Sequence, residues 1–353
     1  SASVKENYMT NTIKNAAILG ASGYTGAEAV RLVTGHPRLE LKALTGHSRA
    51  GQPLSDIYPN FATLGLPDVV TWQEVDWEEI DVVFACLPHG ASQETIAQII
   101  DKVETVIDLS ADFRLKDPEL YAETYGRSHD YHDLLSGAVY GLTEYARAEL
   151  PGAKLVACPG CYPTCTLLSL LPAIDADMVE MDDIIIDAKS GVTGAGRKAI
   201  TGLIYPEISD GAHAYAVGTH RHAPEIDQML SYVSGHEVCV SFTPHLIPAN
   251  RGILATTYVS GDAQAIHDTL VAQYAGEPFI EVLPMGETPS THHVRGSNFC
   301  HIGVSDDRIS GRVMVTAALD NLCKGSSGQA VQNANLMLGL DETTGLLMPP
   351  VFP

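Results

Sequence analysis

The sequence has few basic residues: 21 lysines and arginines stand against 43 aspartates and glutamates, for a formal net charge of -22 at pH 7. Nucleic acids and anionic membrane surfaces are bound by basic faces, so this balance argues against both as partners. The sequence also lacks an uninterrupted apolar run approaching the ~18 residues of a membrane span. It contains neither repeats nor a low-complexity linker, so we expect closely joined domains.

The sequence has only seven cysteines, and they lack a regular disulfide spacing. An odd number without such spacing favours a reducing, intracellular compartment, and we predict a cytoplasmic protein. Three of them form the pattern Cys158-x2-Cys161-x3-Cys165, which could be read as a metal or redox cluster. Because a structural zinc site needs four ligands and no second pair of matching spacing is evident, we predict no metal site.

The sequence does contain enough hydrophobic residues to form the cores of two folded domains. It has 353 residues, of which 45% are hydrophobic and 18% charged, as in ordinary globular chains. Residues 1–12 are polar, with neither an apolar signal core nor an Arg-rich amphipathic pattern. We interpret them as a flexible leader, in which Met9 could be an earlier start.

The first half alternates short apolar strands with helices. A strand at residues 15–19 is followed by Gly20-Ala-Ser-Gly-Tyr-Thr-Gly26, a helix at 27–34 and a strand at 39–45. Strand, glycine-rich turn, helix and strand begin a nucleotide-binding βαβ unit. Further strands are predicted at residues 81–87, 105–109 and 153–157. We therefore predict a Rossmann-type, doubly wound parallel sheet over residues 13–157.

The second half has a different pattern. Strands are predicted at residues 183–189, 238–242, 252–259 and 312–318, with longer helices or loops between them. This indicates a mixed sheet in an α+β domain over residues 158–320, to which we assign catalysis, substrate binding and oligomerisation. The apolar spacing of Ala330, Val331, Ala334 and Leu338 predicts a helix within residues 321–345 that returns to the first domain.

The glycine-rich turn predicts a dinucleotide site. Its glycines have the spacing G-x-x-G-x-x-G, one step from the usual fingerprint, and such turns also occur for purely structural reasons. A tight turn before a helix lets a pyrophosphate approach the helix N–H groups. The residues expected to contact the cofactor are Gly20, Ser22, Gly23, Tyr24, Thr25, Gly26 and, after a later strand, Pro88.

The end of the second predicted strand indicates which dinucleotide is bound. An NAD site usually has a carboxylate there for the ribose 2′-hydroxyl. This sequence instead reads Thr45-Gly-His-Ser-Arg-Ala50, which offers Ser48 and Arg49. Since an arginine can pair with a 2′-phosphate and a carboxylate would repel it, we predict NADP(H).

Cys161 is the candidate nucleophile. It lies in Cys158-Pro-Gly-Cys-Tyr-Pro-Thr164, between a predicted strand and a predicted buried helix with Pro163 in its first turn. The positive end of a helix dipole favours thiolate over thiol, and the thiolate is the reactive form. A lone cysteine is more often a small core residue, but the surrounding Pro-Gly and Tyr-Pro pairs indicate an unusual backbone, so we predict a reactive cysteine.

Several motifs, in order, resemble a known family. They are Gly20-Ala-Ser-Gly-Tyr-Thr-Gly26, Pro159-Gly-Cys-Tyr-Pro-Thr164, Ser190-Gly-Val-Thr-Gly-Ala-Gly-Arg197, His220-Arg-His222 with Pro224-Glu225, and Thr243-Pro-His-Leu246. The chain resembles the N-acetyl-γ-glutamyl-phosphate reductases, which are similar in fold to aspartate-semialdehyde dehydrogenases. The resemblance implies NADPH-dependent reduction of N-acetyl-glutamyl 5-phosphate to the 5-semialdehyde in arginine biosynthesis.

The chemistry of this reaction agrees with the residues present. A thiolate displaces phosphate to form a thioester, which a hydride then reduces. By resemblance, the acid or base is His220, with His222 as second choice. Two alternatives stay open: a reductase of another acyl phosphate (aspartyl phosphate or carrier-bound aminoadipyl phosphate), and a non-catalytic NADP-binding redox sensor.

Further site residues follow from the anionic substrate and from the resemblance. Because the chain is acidic, a few groups must supply the local positive potential and hydrogen bonds for the substrate. The candidates are Ser110, Arg114, Arg197, Arg221 and Arg251. A second glycine-rich loop offers N–H groups for the cofactor through Ser190, Gly191 and Gly194. In the similar dehydrogenases the segment holding Asn321 and Lys324 meets the nicotinamide.

The resemblance also implies a homodimer or homotetramer. The C-terminal segment Met348-Pro-Pro-Val-Phe-Pro353 resembles plant-type members. This leaves the plastid stroma as the alternative to the cytoplasm.

Overall fold

The computed structural model describes residues 12–352, so the predicted leader lies outside the described residues except for Thr12. The strands are β1 (Lys14–Leu19), β2 (Leu39–Thr45), β3 (Val69–Val70), β4 (Val82–Ala85), β5 (Thr105–Asp108), β6 (Val139–Tyr140), β7 (Leu155–Ala157), β8 (Ile185–Gly191), β9 (His213–Ala214), β10 (Ser241–Ile247), β11 (Ile253–Ser260), β12 (Ile280–Val282), β13 (Cys300–Asp306) and β14 (Arg312–Leu319).

Helices connect and cover these strands. They are α1 (Tyr24–Thr34), α2 (Ser92–Ile99), α3 (Pro118–Tyr125), α4 (His132–Gly137), α5 (Thr143–Ala146), α6 (Cys161–Asp175), α7 (Tyr205–Ile208), α8 (Ala223–Ser234), α9 (Ala263–Gln273) and α10 (Gly328–Met337). Across residues 12–352, none of the helices has the length and apolar character needed to span a bilayer.

The first sheet confirms the predicted parallel, doubly wound fold. Its order is β3-β2-β1-β4-β5-β7-β6, and neighbouring strands pair in parallel. Every residue of β4 and β5 is buried, as expected for central strands covered on both faces. The chain reverses its direction of travel across the sheet between β1 and β4. Ligands of such sheets bind beyond the carboxyl ends of the strands at this switch point.

The second sheet is mixed, as predicted. Its order is β12-β13-β14-β11-β8-β10-β9; β8 pairs in parallel with β10 and antiparallel with β11. Residues of β11 alternate between buried and half-buried, because successive side chains point to opposite faces. Helices α6 and α9 share one hydrophobic core with this sheet. The other face of β11 is therefore the half-buried one.

Two element boundaries differ from the sequence prediction. The strand expected at residues 238–242 begins only at Ser241 and continues to Ile247, because β10 keeps its pairing with β8 through Pro244. The helix expected within residues 321–345 is shorter. Cys323–Ser327 forms a π-helical turn, α10 covers Gly328–Met337, and the chain then turns at Gly339, whose φ is +68°.

Helix α10 lies against the first sheet although it follows the second in sequence. Ala330, Val331 and Ala334 are fully buried in the core that contains Ile18 and Phe84. This contact brings the preceding π-helical turn beside the switch point.

Candidate active site

Cys161 is the first residue of α6 and directly follows the turn after β7. The helix begins at Cys161, with Pro163 in its first turn as predicted, and its N-cap, Gly160, offers no side-chain cap. Two glycines leave room around the cysteine. A Cβ built on Gly160 would lie 2.5 Å from His222 Nε2, and one built on Gly325 would lie 2.9 Å from the Cβ of Cys161. The first glycine therefore seats an imidazole next to Cys161.

The protonation state of Cys161 differs from the sequence prediction. The side chain is partly exposed, but the surrounding protein desolvates the thiol and raises its pKa to about 11. The charge of Arg114 and the N–H of Tyr162 lower the pKa and offset only part of this effect. Because desolvation outweighs the helix terminus, the free site holds a thiol at neutral pH. Nucleophilic attack by Cys161 therefore requires a proton acceptor.

Two neutral imidazoles lie beside this turn. The ring of His220 contacts those of Tyr162 (centroids 5.6 Å apart), Tyr215 (5.4 Å) and His222 (4.8 Å). Burial and the charge of Arg221 lower the pKa of His220 to about 4. Burial, then the charge of His220, lowers the pKa of His222 well below its ordinary value.

The resting tautomer of His220 follows from one hydrogen bond. The backbone N–H of His222 donates to His220 Nδ1 at 3.1 Å. A neutral imidazole that accepts at Nδ1 carries its proton on Nε2. His220 therefore presents a donor at Nε2.

Glu225 is a central residue to which the sequence analysis gave no role. It is fully buried in the first turn of α8. Gly160 N and the Tyr140 hydroxyl each donate to its Oε1 at 2.9 Å, and Arg114 Nη1 lies 3.4 Å from Oε2. The sequence showed only a helix start there, because an acidic residue in a first turn normally faces solvent. Here the carboxylate fixes the backbone immediately before Cys161.

The glycine-rich turn between β1 and α1 has the shape of a pyrophosphate site. A Cβ on Gly20, whose φ is +74°, would lie 2.4 Å from the carbonyl oxygen of Cys86; one on Gly26 would lie 2.3 Å from that of Gly20. Both positions therefore require glycine. Helix α1 has no side-chain cap at Gly23, so its first N–H groups face an open turn. This arrangement fits a dinucleotide phosphate.

The end of β2 lies against the same turn. A Cβ built on Gly46 would be 3.7 Å from Arg49 Cβ and 3.9 Å from Ser22 Oγ. Arg49 is exposed and has no ion-pair partner among residues 12–352, and neighbouring Ser48 is exposed as well. The structure thus brings Ser22, Ser48 and Arg49 to one edge of the cofactor turn.

The π-helical turn Cys323–Ser327 touches both the cysteine and the cofactor turn. Gly325 packs against Cys161, and the Ser327 hydroxyl donates to the carbonyl oxygen of Thr25 at 2.9 Å. Cys158 also contacts this turn, its thiol donating to Ser326 O at 3.5 Å. Two distant segments of sequence therefore meet at one site.

Two family models match almost the whole chain. Residues 15–153 match "Semialdehyde dehydrogenase, NAD binding domain", and residues 161–321 match "Semialdehyde dehydrogenase, dimerisation domain". The boundary between the matches falls immediately before the Cys161 helix.

Proteins named N-acetyl-gamma-glutamyl-phosphate reductase are similar over nearly the full length. The protein of Jannaschia sp. (strain CCS1) is 58% identical, covering 96% of this chain and 99% of its own. The chain belongs to the N-acetyl-gamma-glutamyl-phosphate reductase family. The family member of Ruegeria pomeroyi is 56% identical, covering 96% of this chain and 98% of its own.

Solved structures of low identity share the family's fold. Aspartate semialdehyde dehydrogenase II of Vibrio cholerae, complexed with ASA, has a TM-score of 0.69 at 19% identity, covering 93% of this chain and 98% of its own. The Candida albicans aspartate semialdehyde dehydrogenase with NADP has a TM-score of 0.65 at 17% identity, covering 92% and 98%. They confirm the Rossmann-type sheet and the second mixed sheet.

Within this family fold, Arg114 and Ser110 are buried beneath the site. Arg114 donates to the carbonyl oxygens of Cys158 (2.8 Å) and Leu109 (3.0 Å) and pairs with Glu225. The Ser110 hydroxyl donates to Asp108 at 2.7 Å. Both were predicted to contact substrate, but their polar groups are held by the protein. Arg114 instead supports the Cys161 turn and supplies positive charge there.

The other predicted substrate arginines have different environments. Arg251 pairs with Glu28 at 2.6 Å and with Asp320 at 3.5 Å, so its charge is largely neutralised within the protein, and its contact with substrate stays a prediction. Arg197 is exposed and stacks on the Tyr58 ring at 4.9 Å. Arg221 is exposed, and among the described residues it has no carboxylate partner. Its charge is available to a ligand.

Two predicted cofactor residues near the π-helical turn are engaged within the protein. Lys324 is fully buried, with Nζ 2.6 Å from Glu144 and 2.7 Å from Gln332, so its ammonium does not face the cofactor turn. Asn321 accepts from Gly252 N at 2.8 Å and donates to Thr193 at 3.0 Å. These contacts differ from the predicted nicotinamide contacts because a buried charge or amide must be satisfied internally.

The remaining predicted cofactor residues follow or end strands. Ser190 and Gly191 are the last residues of β8, and Gly194 lies in the turn after it, where a Cβ on Gly194 would be 3.1 Å from Ser190 Oγ and 3.8 Å from Asn321 Nδ2. Ser190 is buried and donates to Gly191 O at 2.9 Å. Pro88 is exposed after β4, the strand that adjoins β1.

Proposed function

We propose that this protein reduces N-acetyl-glutamyl 5-phosphate to N-acetyl-glutamate 5-semialdehyde with NADPH, through a thioester on Cys161, in arginine biosynthesis. The observation that carries the proposal is the π-helical turn, which packs against Cys161 through Gly325 and against the cofactor turn through Ser327. A reductase of an acyl group needs its nucleophile and its reductant at one site.

The cofactor residues fit NADP(H). The N–H groups at the start of α1 would hold the pyrophosphate, and Ser22, Ser48 and Arg49 would hold the 2′-phosphate, since no carboxylate lies at the end of β2. NADPH, when bound, supplies the hydride that reduces the thioester.

Cys161 acts first. Its sulfur attacks the acyl carbon, the carbon–oxygen bond to phosphate breaks, and the thiol proton ends on the departing phosphate. Because the pKa of the thiol is about 11, the proton must be removed as the sulfur attacks. The neutral imidazole of His222, which lies against Gly160, can accept this proton and pass it to the phosphate. Glu225 holds Gly160 N and so fixes the direction of attack.

His220 acts on the acyl oxygen. Its protonated Nε2 donates to the oxygen on which negative charge develops in both steps. In the second step this hydrogen bond stabilises the oxyanion of the tetrahedral intermediate; the carbon–sulfur bond then breaks to release the aldehyde, and the Cys161 thiolate takes up a proton from solvent to restore the thiol. A pKa of about 4 keeps His220 neutral at neutral pH, so its Nε2–H remains a hydrogen-bond donor and is not itself transferred.

The alternatives are less well supported. The aspartate semialdehyde dehydrogenases share 19% identity or less among the structures compared above, so they support the fold and not their substrate. A redox sensor without turnover would not explain why a histidine pair is packed beside the reactive cysteine and the cofactor turn.

The testing experiment runs the reaction backwards, which avoids the unstable acyl phosphate. Wild-type protein is mixed with N-acetyl-glutamate semialdehyde, phosphate and NADP⁺, and NADPH formation is followed by absorbance. We expect turnover that depends on phosphate. Turnover with aspartate semialdehyde but not with the acetylated substrate would contradict the proposed substrate, and NADP⁺ binding without turnover on either would favour the sensor.

Arg49→Ala should weaken the binding of NADPH more than the binding of NADH. Loss of a charged pair to the 2′-phosphate is expected to raise KM for NADPH about 10- to 100-fold, with little change for NADH. Steady-state kinetics with each cofactor measures this. Arg308→Ala, which removes an exposed arginine between β13 and β14, is the matched control. An unchanged preference for NADPH in Arg49→Ala would exclude Arg49 from the site.

Two further proposals concern the oligomeric state of the protein and its cellular compartment. The half-buried face of β11 and the match to a dimerisation domain support a homodimer or homotetramer formed through the second sheet. The relatives compared above are bacterial, which supports the cytoplasm over the plastid stroma.

A further inference from the structure

A group of basic and aromatic residues next to the catalytic turn has no role in the chemistry described above. We call it the Tyr125 cluster: His89, Gly90, Tyr125, Arg127 and Arg221. The Tyr125 ring lies 5.3 Å from the His89 ring and 5.6 Å from the guanidinium of Arg221. In the sequence, Arg221 lies between His220 and His222. The cluster therefore borders the reaction centre.

Two glycines shape the cluster. Gly126 has φ +68° and ends α3 in a left-handed turn, immediately between Tyr125 and Arg127. Gly90 has φ +77°, and a Cβ built there would lie 1.4 Å from Arg127 Nη1. The guanidinium of Arg127 thus takes the space of a side chain at Gly90. The Gly90 N–H donates to buried Asp112 at 2.8 Å, which fixes this loop beneath the arginine.

The two arginines of the cluster are available to an anion. Five arginines have no carboxylate partner within residues 12–352: Arg49, Arg127, Arg197, Arg221 and Arg308. Arg49 and Arg197 border the cofactor turn, and Arg308 lies in a distant turn. In a chain with a net charge of -22, two arginines without a carboxylate partner, one over the Tyr125 ring and one over Gly90, favour a bound anion.

The position of the cluster distinguishes between the two anionic ends of the substrate. The phosphate is bonded to the carbon that Cys161 attacks, so it must lie beside the sulfur, where Arg114 provides the charge. The cluster lies beyond the histidines. There the charge of Arg221 lowers the pKa values of His89, His220 and His222. An acyl chain with its reacting carbon at Cys161 would place its α-carboxylate at this more distant position.

We propose that Arg127 and Arg221 bind the α-carboxylate of the acyl substrate, with the Tyr125 ring holding Arg221, so that this cluster selects for acyl chains with a free α-carboxylate. The proposal rests on the proposed function. It adds Arg127 and Tyr125 to the substrate site, and Gly90 as the position that makes room for the guanidinium.

The test is Arg127→Gln in the reverse reaction. We expect KM for N-acetyl-glutamate semialdehyde to rise about 10- to 100-fold, with KM for phosphate and kcat little changed. Arg127→Lys keeps the charge without the planar fork, so it should recover part of the loss. Arg308→Gln is the control, and thermal unfolding of each variant reports on folding.

A second substrate, compared first in the wild-type protein, tests the proposal without a substitution. 4-Acetamidobutanal is the same aldehyde without the carboxylate; wild-type protein should use it poorly, and Arg127→Gln should not lower its kcat/KM further. Equal losses on both aldehydes, a rise in KM for phosphate, or no effect would each overturn the proposal. No turnover by the wild type on the acetylated aldehyde would instead overturn the proposed function.

Discussion

Cys161→Ser should lower kcat for phosphate-dependent NADP⁺ reduction by at least about 10⁴-fold, because the hydroxyl is a far weaker nucleophile at the same position. The substitution changes the side-chain volume little, and Gly160 and Gly325 leave space around residue 161. Folding and NADP⁺ binding should therefore persist. Stopped-flow absorbance with wild type and variant measures the loss.

Cys158→Ser is the matched control for Cys161→Ser. Its thiol is buried and donates to Ser326 O at 3.5 Å, away from the aldehyde site. A hydroxyl makes the same bond, so we expect activity to persist. Comparable turnover in Cys161→Ser and wild type would remove the Cys161 thioester from the reaction.

His220→Asn should lower kcat by about 10²- to 10³-fold, the range typical of a removed oxyanion donor. Asparagine can keep a polar contact with His222 N, but its shorter side chain does not place a donor at the position of Nε2. KM for the aldehyde should change less than kcat, since the lost interaction strengthens as charge develops on the oxygen.

His222→Asn separates the two histidines. Burial and the charges of His220, Arg114, Arg221 and His89 lower the pKa of His222 well below its ordinary value, and the departing phosphate can also accept the thiol proton directly. We expect a smaller loss of kcat than in His220→Asn. A larger loss in His222→Asn would exchange the two roles.

The cofactor turn was predictable from sequence because its requirements are local. A strand, glycines at Gly20 and Gly26, and a helix are contiguous, and the close approach that demands glycine at residue 26 is to Gly20 in the same segment, whereas that of Gly20 is to Cys86. The end of β2 was likewise predictable, since parallel strands bring their carboxyl ends to one edge. These are properties of short stretches of chain.

The charge state of Cys161 could not be predicted in the same way. The sequence showed the helix terminus that lowers a thiol pKa, but desolvation depends on what packs around the sulfur. Those neighbours include a turn more than a hundred residues away, at Gly325. Local pattern alone therefore predicted the wrong sign for the shift in pKa.

The charged residues show the same limit most clearly. Arg114, Arg251 and Lys324 had the residue type expected for an anion site, but each is paired inside the protein with a carboxylate from a distant segment. Arg127 drew no attention in the sequence, and its guanidinium nevertheless lies over Gly90 at the edge of the site. Pairing depends on distances between segments, which sequence does not supply.

The sequence by itself determined the parallel, doubly wound character of the first sheet, the glycine-rich cofactor turn and the family, because each is carried by contiguous residues; it also predicted Cys161 as the nucleophile. Only the tertiary structure decided which charges are neutralised, which tautomer His220 adopts and how Glu225 and the π-helical turn hold Cys161 in place. These depend on desolvation and on contacts between distant segments, and both arise only when the chain packs.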